Sequence, residues 1–297
     1  MKEKIFKTLS KYKKILEEKG YNVIYVGLYG SQNYNLQDEY SDIDVKAIIL
    51  PNLHDVIFRK VTSKVIECEE GNIDVKDLLT FYDVIKKGNY SYVESIETEY
   101  SIGDKYIKQL FLKFKPNLKS FLGAMHEKRK ALTHEYPSKK EEFAKWGFDP
   151  KQYHHILRLS DLLSANYTRI MNNEPLISFI KYEDDEEREF LIDVKRNLVS
   201  YNREYVEKQS DGIIEHNKMR IPENYKYEVV NIDDEINDYI EKHIKLELIK
   251  DNPVSYAREI RTFDTKIPKK DLEKFPVLKE YDGKDISYIV YESLEIL

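Results

Sequence analysis

Two nearly continuous apolar runs lie close together near the start of the chain, at residues 22–29 and 44–50. Runs of this kind are typical of central strands that are covered on both faces of a sheet. Pro51 ends the second run, because proline cannot donate to a strand ladder. The polar segment between the runs must therefore join two buried strands, and the other elements have to be arranged around it.

The rest of the pattern predicts further sheet elements and then helices. Residues 2–19 carry apolar side chains at helical spacing, and residues 64–68 and 72–76 flank a turn as the strands of a hairpin would. Helices are expected at 78–87, 118–132, 153–171 and 186–209. This order suits an α/β or α+β domain at 1–115, a helical domain at 116–210 and a C-terminal extension of unknown role at 211–297.

The composition is that of an ordinary folded protein, with 34% charged and 41% hydrophobic residues. No apolar run approaches the roughly 18 residues of a membrane span, and the N-terminus is charged where a signal peptide would be apolar. We therefore expect a cytoplasmic protein without a membrane partner. Cys68 is the only cysteine, which excludes an internal disulfide and a thiolate metal cluster.

The net charge of −6 argues against a surface coated in positive charge for nucleic acid, but the charge is unevenly distributed. Residues 101–160 hold 13 Lys and Arg against 6 Asp and Glu, a local excess of +7. This excess, with its Lys128-Arg129-Lys130 run, has two interpretations: solvated helix faces, or a footprint for a polyanionic acceptor.

Asp42 and Asp44 open the second apolar run and stand two residues apart. Side chains alternate along a strand, so both carboxylates face one side while Ile43 and Val45 point into the core. Paired carboxylates repel each other, and a hard divalent cation is the usual reason to hold both ionised. The pair therefore predicts a Mg²⁺ site, in which Mn²⁺ could substitute.

Gly30 and Ser31 precede this pair by ten residues and follow the first apolar run. Glycine lets the backbone approach a phosphate, and the following amides with the Ser31 hydroxyl can hold its oxygens. A short helix and a loop of this length can bring the turn and the carboxylates together. We expect a nucleoside triphosphate to lie between them.

A third carboxylate is expected where a nucleophile must be activated. Asp74 stands between two apolar neighbours in the predicted hairpin, so it could share a metal with Asp42 and Asp44 and accept a proton from an attacking hydroxyl. Asp77 is the alternative, but it falls at the start of the next helix, where an aspartate more often caps.

The segment GSQNYNLQDEYSDIDVKAIIL at 30–50 resembles the signature of the DNA polymerase β-like nucleotidyltransferase superfamily. With KKGNYSYVES at 86–95 and YHHILRL at 153–159, it is similar to predicted bacterial and phage nucleotidyltransferases associated with RNA repair. The resemblance implies an α+β fold, in which a small mixed β-sheet domain with flanking helices is followed by a helical domain. It also implies a two-metal enzyme in which Asp42, Asp44 and Asp74 bind the metals and Gly30 and Ser31 contact phosphate.

The expected reaction moves a nucleoside monophosphate from a nucleoside triphosphate to an acceptor hydroxyl, and ATP is the triphosphate that we expect. The resemblance and the basic segment favour an RNA end as the acceptor. A protein side chain, modified by AMPylation as in toxin–antitoxin systems, is the second candidate, and a small molecule is the third. The alternative outside the enzymes is a non-catalytic module that binds nucleotide or a partner.

His155 and Arg158 stand one turn apart at the front of the helix expected at 153–171. An Arg fork suits phosphate, so either side chain could reach the triphosphate or the acceptor from the helical domain. The competing interpretation is that His155 packs or caps the helix. His154 and His155 point to different faces of a helix, so a zinc site formed by this pair is not expected.

Overall fold

A computed structural model describes residues 2–39 and 41–251 of the chain. The strands in these residues are β1 (Asn22–Leu28), β2 (Val45–Leu50), β3 (Ser63–Cys68), β4 (Gly71–Asp77) and β5 (Ser101–Gly103). The helices are α1 (Lys2–Glu18), α2 (Ser31–Tyr34), α3 (Leu53–Ile57), α4 (Leu78–Ile85), α5 (Tyr90–Glu97), α6 (Lys105–Phe111), α7 (Leu118–Leu132), α8 (Lys140–Trp146), α9 (Pro150–Met171), α10 (Asp185–Arg196), α11 (Arg203–Arg220) and α12 (Asp233–Asp251).

The five described strands form one mixed sheet in the order β3-β4-β2-β1-β5. β2 pairs antiparallel with β1 and parallel with β4, while β3 and β4 form the expected antiparallel hairpin. β1 and β2 are buried almost throughout, which confirms the sequence prediction of central strands covered on both faces. The sheet together with its helices confirms the α+β class.

The amphipathic helix predicted at the N-terminus is α1, and its apolar stripe covers one face of the sheet. Ile5, Leu9, Tyr12 and Leu16 are each no more than 1% exposed and pack with the side chains of β1, β2 and β4. The stripe removes this face of the sheet from water. The opposite face is the one from which Lys46 of β2 reaches Tyr92 of α5.

Gly27 in β1 allows α5 to lie against the sheet at very short range. A Cβ atom at Gly27 would stand 1.9 Å from the carbonyl oxygen of Ser95, so only glycine fits there. The Tyr25 hydroxyl donates a hydrogen bond of 2.9 Å to the same oxygen. These contacts fix α5 beside the end of β1, although the sequence patterns predicted no helix at 90–97.

Helices α7, α9 and α11 pack around a second apolar core, whose buried members include Phe121, Leu159, Leu162 and Ile214. The single helix expected at 186–209 is wrong, because α10 and α11 are separate there. Asn197 ends α10 in the left-handed conformation, with φ at 51°, and Asn202 caps α11 by accepting from the Tyr205 amide. The apolar spacing continues across this break, so periodicity alone cannot detect it.

The chain divides into two compact units. The first comprises the described residues up to Pro51 and from Arg59 to Asn231, and it holds the whole described sheet. The second comprises Asn52–Phe58 and the described residues from Ile232 to Asp251. α11 runs across residue 210, where the C-terminal extension was expected to begin. The part of that extension beyond residue 251 lies outside the described residues. None of the described helices combines the length and apolar character needed to cross a bilayer.

Candidate active site

The Gly-Ser turn and the two carboxylates meet at one end of the central strands. Because β1 and β2 run antiparallel, the end of β1 lies beside the start of β2, and the Tyr29 amide donates to the Asp44 carbonyl at 3.1 Å. The Gln32 side-chain amide donates to the Asp42 carbonyl at 2.6 Å and closes the loop between them. The ten-residue spacing therefore brings the two motifs together, as the sequence predicts.

Gly30 occupies a backbone conformation that other residues rarely adopt, with φ at 101° and ψ at −156°. Its amide donates to the Glu94 carboxylate at 2.7 Å and is therefore already used within the protein. The helix that follows, α2, has only four residues. Ser31 is the residue of this turn that can bind a ligand. It lines the cavity, and its hydroxyl makes only one long contact, of 3.3 Å, with the Gln32 side chain.

The alternation predicted around Asp42 and Asp44 is present. Ile43 and Val45 are buried, whereas Asp42 is exposed and Asp44 is half-buried. No hydrogen bond or ion pair from another described residue reaches the Asp42 carboxylate, while Asp44 Oδ1 accepts from the Asn72 amide at 3.0 Å. Burial raises the pKa of Asp44, and the nearby Asp42 adds to the rise.

A cavity of about 450 Å³ opens at this point, between the sheet and the helices. Its lining includes six of the residues that the sequence predicts to bind metal or nucleotide: Gly30, Ser31, Asp42, Asp44, His155 and Arg158. The acidic and phosphate-binding candidates of the sheet thus share one cavity with the two candidates of α9.

Asp74 is not part of this lining and is held by other side chains. Its Oδ2 lies 3.0 Å from the Lys46 ammonium and accepts from the Tyr92 hydroxyl at 2.7 Å. Burial raises the pKa of Asp74, but Lys46 and Tyr92 outweigh it and leave the pKa below its usual value. Asp74 as a metal ligand or base stays a prediction, and these contacts disfavour it. The alternative, Asp77, caps α4 by accepting from the Thr80 amide at 2.9 Å.

Glu94 was not predicted as a site residue, yet it organises the turn. Its fully buried carboxylate accepts from the amide of Gly30, from the side-chain amide of Asn33 at 3.0 Å and from the Tyr34 hydroxyl. Burial raises the pKa of Glu94, whereas Arg158 and these donors act in the opposite direction. The segment KKGNYSYVES contained this residue, but only the packing of α5 on Gly27 shows what it holds.

Arg158 forms the centre of a cationic wall on the helical side of the cavity. Its guanidinium lies 4.0 Å from the centroid of the Tyr34 ring and is 4% exposed. Nε and Nη1 of Arg158 are buried without a hydrogen-bond partner in the protein. Lys128 and Lys151 line the same cavity. Buried, unpartnered guanidinium donors in a cavity suit an anionic ligand.

The two histidines of α9 both line the cavity and both have pKa values below the ordinary range. Burial and the nearby Arg158 lower the pKa of His154 to about 3, and burial also lowers that of His155. His154 Nδ1 lies 2.8 Å from the Leu191 carbonyl, which fixes the tautomer with the proton on Nδ1. Nε2 of His154 is therefore an acceptor, and His155 Nδ1 is buried without a partner.

The donor set fits one magnesium ion. Asp42 and Asp44 supply hard oxygen ligands at the cavity, and Mg²⁺ commonly uses one or two carboxylates and completes its shell with phosphate and water. Within the described residues no group of three or more His, Cys, Asp or Glu side chains is arranged to hold a metal. The residues present therefore suit an ion that arrives with a phosphate ligand.

No family model matches this sequence, and no curated protein matches it significantly. The resemblance to polymerase β-like nucleotidyltransferases therefore stays an interpretation of the motifs.

Proposed function

We propose that this protein is a magnesium-dependent nucleotidyltransferase, which moves a nucleoside monophosphate from a nucleoside triphosphate to an acceptor hydroxyl. The observation that carries the proposal is that one cavity joins the carboxylates of Asp42 and Asp44 to Ser31 and to the unpartnered donors of Arg158. This pairing of a metal site with an anion site suits a metal-bound triphosphate.

Each side of the cavity has a distinct task in this proposal. Asp42 and Asp44 hold the ion, and Arg158 and Lys128 hold the outer phosphates from the helical side. When bound, Mg²⁺ would offset the negative charge that builds on the reacting phosphate and on the departing pyrophosphate. The acceptor oxygen bonds to the α-phosphorus as the bond to pyrophosphate breaks, and the acceptor proton is lost to a base. Asp74 is the base that the sequence predicts, but its contacts with Lys46 and Tyr92 disfavour that role.

An RNA end is the acceptor that we favour. A second cavity, of about 280 Å³, shares Asp38, Lys151 and Lys195 with the first, so the two are adjacent. Trp146, the only tryptophan of the chain, lines it together with Lys139 and further charged side chains. The lining also holds three acids, of which Glu142 pairs with Lys139 and Asp38 with Lys195. An aromatic ring beside the Lys151 cation suits a stacked base and its phosphate. A protein side chain remains the alternative acceptor.

The test follows the α-phosphate and the γ-phosphate of the triphosphate separately. Protein is incubated with ATP labelled at the α- or the γ-phosphate together with cell extract, and RNA, protein and small molecules are then separated. We expect the α-label in the RNA fraction and release of the γ-label as pyrophosphate. The double variant Asp42→Asn, Asp44→Asn should fold and transfer nothing. Asp185→Asn, an exposed acid outside both cavities, is the control.

The outcomes separate the candidates. The α-label in the protein fraction would favour AMPylation. ATP binding that is independent of Mg²⁺ in calorimetry, without transfer of label, would favour a non-catalytic module. Transfer that survives the double variant would contradict the proposal.

A further inference from the structure

A lysine lies buried near the start of β2, two residues after Asp44. Lys46 is 4% exposed, and it nevertheless lines the main cavity. Its ammonium lies 4.1 Å from the ring centroid of Tyr29 and 4.0 Å from that of Tyr92. Burial lowers the pKa of Lys46, whereas the Asp74 carboxylate acts in the opposite direction, and the two aromatic ring faces also attract the ammonium.

The partner of this charge is Asp74, and the sheet itself brings the two together. Lys46 and Asp74 are paired in the parallel ladder of β2 and β4, so their side chains lie on the same face. The ammonium of Lys46 lies 3.0 Å from Asp74 Oδ2, and that of Lys76 lies 3.6 Å from Oδ1. Both oxygens of this carboxylate therefore already face a cation of the protein.

Asp42 and Asp44 are placed differently. No ion pair within the described ranges joins either carboxylate to a lysine or arginine, and both line the cavity. Of the three carboxylates expected to bind metal, two line the cavity without an ion pair to another described residue, and the third is paired with two lysines. A second divalent ion at Asp74 would meet the like charge of both ammonium groups.

We propose that the site takes one divalent ion, held by Asp42 and Asp44, and that the Lys46 ammonium supplies the fixed positive charge that a second ion would otherwise supply. This inference rests on the proposed function, since it concerns the metal content of the same site. It departs from the two-metal arrangement that the family resemblance implies. Lys46 thus acts as a built-in cation beside the reacting phosphate, and Asp74 is its positioning residue.

The stoichiometry of Mn²⁺ tests this inference without any turnover. Protein is mixed with one equivalent of the analogue α,β-methylene-ATP and titrated with Mn²⁺, while electron paramagnetic resonance follows the free ion and calorimetry follows the analogue. We expect one tightly bound Mn²⁺ per chain. Two tightly bound ions would overturn the inference and leave the proposed function in place. Failure to bind the analogue would overturn the proposed function, and the inference with it.

Variants assign the ligands. Asp42→Asn should weaken Mn²⁺ binding at least about ten-fold, because it removes one of two charged ligands. Asp74→Asn should change the dissociation constant by less than about two-fold, since it removes the partner of Lys46 and no ligand. A ten-fold loss with Asp74→Asn, in protein with an unchanged circular dichroism spectrum, would show that Asp74 is a ligand and overturn the inference.

Removal of the Lys46 charge should create a second site for Mn²⁺. Removal of a purely structural lysine would not create one. Lys46→Met removes the ammonium while keeping most of the side chain, so Asp74 loses its nearest cation and a second, weaker Mn²⁺ should appear. Lys76→Met is the matched control, because Lys76 also faces Asp74 but does not line the cavity. It should still bind one ion. Where Lys46→Met does not fold, the Asp74→Asn and Asp42→Asn comparison decides the question.

Discussion

Glu94 accepts a hydrogen bond of 2.7 Å from the backbone amide of Gly30, across 64 residues of sequence. This contact joins α5 to the turn that carries Ser31, and it holds Gly30 in a conformation that only glycine adopts easily. Because Asn33 and Tyr34 donate to the same carboxylate, the whole of α2 is anchored at one point. The turn is therefore rigid before any ligand arrives.

Replacement of Glu94 should weaken nucleotide binding and stability together. Glu94→Ala leaves three donors without their buried acceptor and Arg158 without a nearby negative charge, which should cost about 3 kcal/mol in the free energy of unfolding. Affinity for Mg·ATP should fall roughly ten-fold or more because the turn loses its anchor. Glu94→Gln keeps an acceptor for the Gly30 amide and should cost about half as much. Urea unfolding and titration calorimetry give the two quantities.

Glu97 provides the control on the same helix. It accepts from the amide and hydroxyl of Ser178 and does not line the cavity. Glu97→Gln should therefore lower stability without changing the affinity for nucleotide. Wild-type affinity in Glu94→Ala would show that the turn holds its shape without the carboxylate.

Gly27 is expected to be intolerant of any side chain. The added methyl group of Gly27→Ala would overlap the Ser95 carbonyl, so α5 must move away from β1. We expect a loss of about 3 kcal/mol in the free energy of unfolding, and weaker nucleotide binding because Glu94 moves with the helix. Gly123→Ala is the control: no atom lies within 4 Å of its Cβ position in α7, so this variant should gain up to about 1 kcal/mol. Equal stability of the two variants would contradict the packing argument.

Local patterns predicted the parts of the site that are close in sequence. The alternation around Ile43 placed Asp42 and Asp44 on one side, and the antiparallel pairing of the flanking strands did bring Gly30 beside them. Those inferences needed only the period of a strand and the length of a loop.

Tertiary packing determines the contacts of the site that join residues far apart in sequence. Glu94 reaches the turn because α5 fits against Gly27, and nothing local to residues 90–97 indicates that approach. Lys46 carried a signal, since a lysine within an apolar strand must find a buried partner, but the register that pairs it with Asp74 comes from the β2–β4 ladder. The same ladder places Asp74 beside Lys46 but outside the lining of the cavity.

Arg158 should discriminate nucleotides by their phosphate number. If its unpartnered donors hold the outer phosphates, Arg158→Lys should weaken ATP binding by roughly ten-fold to a hundred-fold, because an ammonium cannot reproduce the fork. Binding of AMP should change much less. Arg169→Lys, also on α9 but paired with Glu174 outside the cavity, is the control. An equal loss for ATP and AMP would show that Arg158 contacts another part of the nucleotide.

His154 should make the protein less stable as the pH falls below neutrality. The unfolded chain binds a proton at this residue near pH 6.5, whereas burial and Arg158 lower the pKa in the folded state to about 3. Between these values the unfolded state holds more protons, so the free energy of unfolding decreases as the pH falls, by up to about 1.4 kcal/mol per pH unit. His155 acts in the same direction, since burial lowers its pKa as well.

His154→Asn isolates this contribution, because the Asn amide can still donate to the Leu191 carbonyl that His154 Nδ1 now contacts. Urea unfolding at pH values between about 7 and about 4 should show a shallower slope for the variant, by up to one proton. His126→Gln, which changes an exposed histidine of α7, should keep the wild-type slope. A variant slope equal to that of the wild type would mean that His154 binds its proton equally well in the folded and the unfolded state, and its Nε2 would then become a donor in the folded protein at acidic pH.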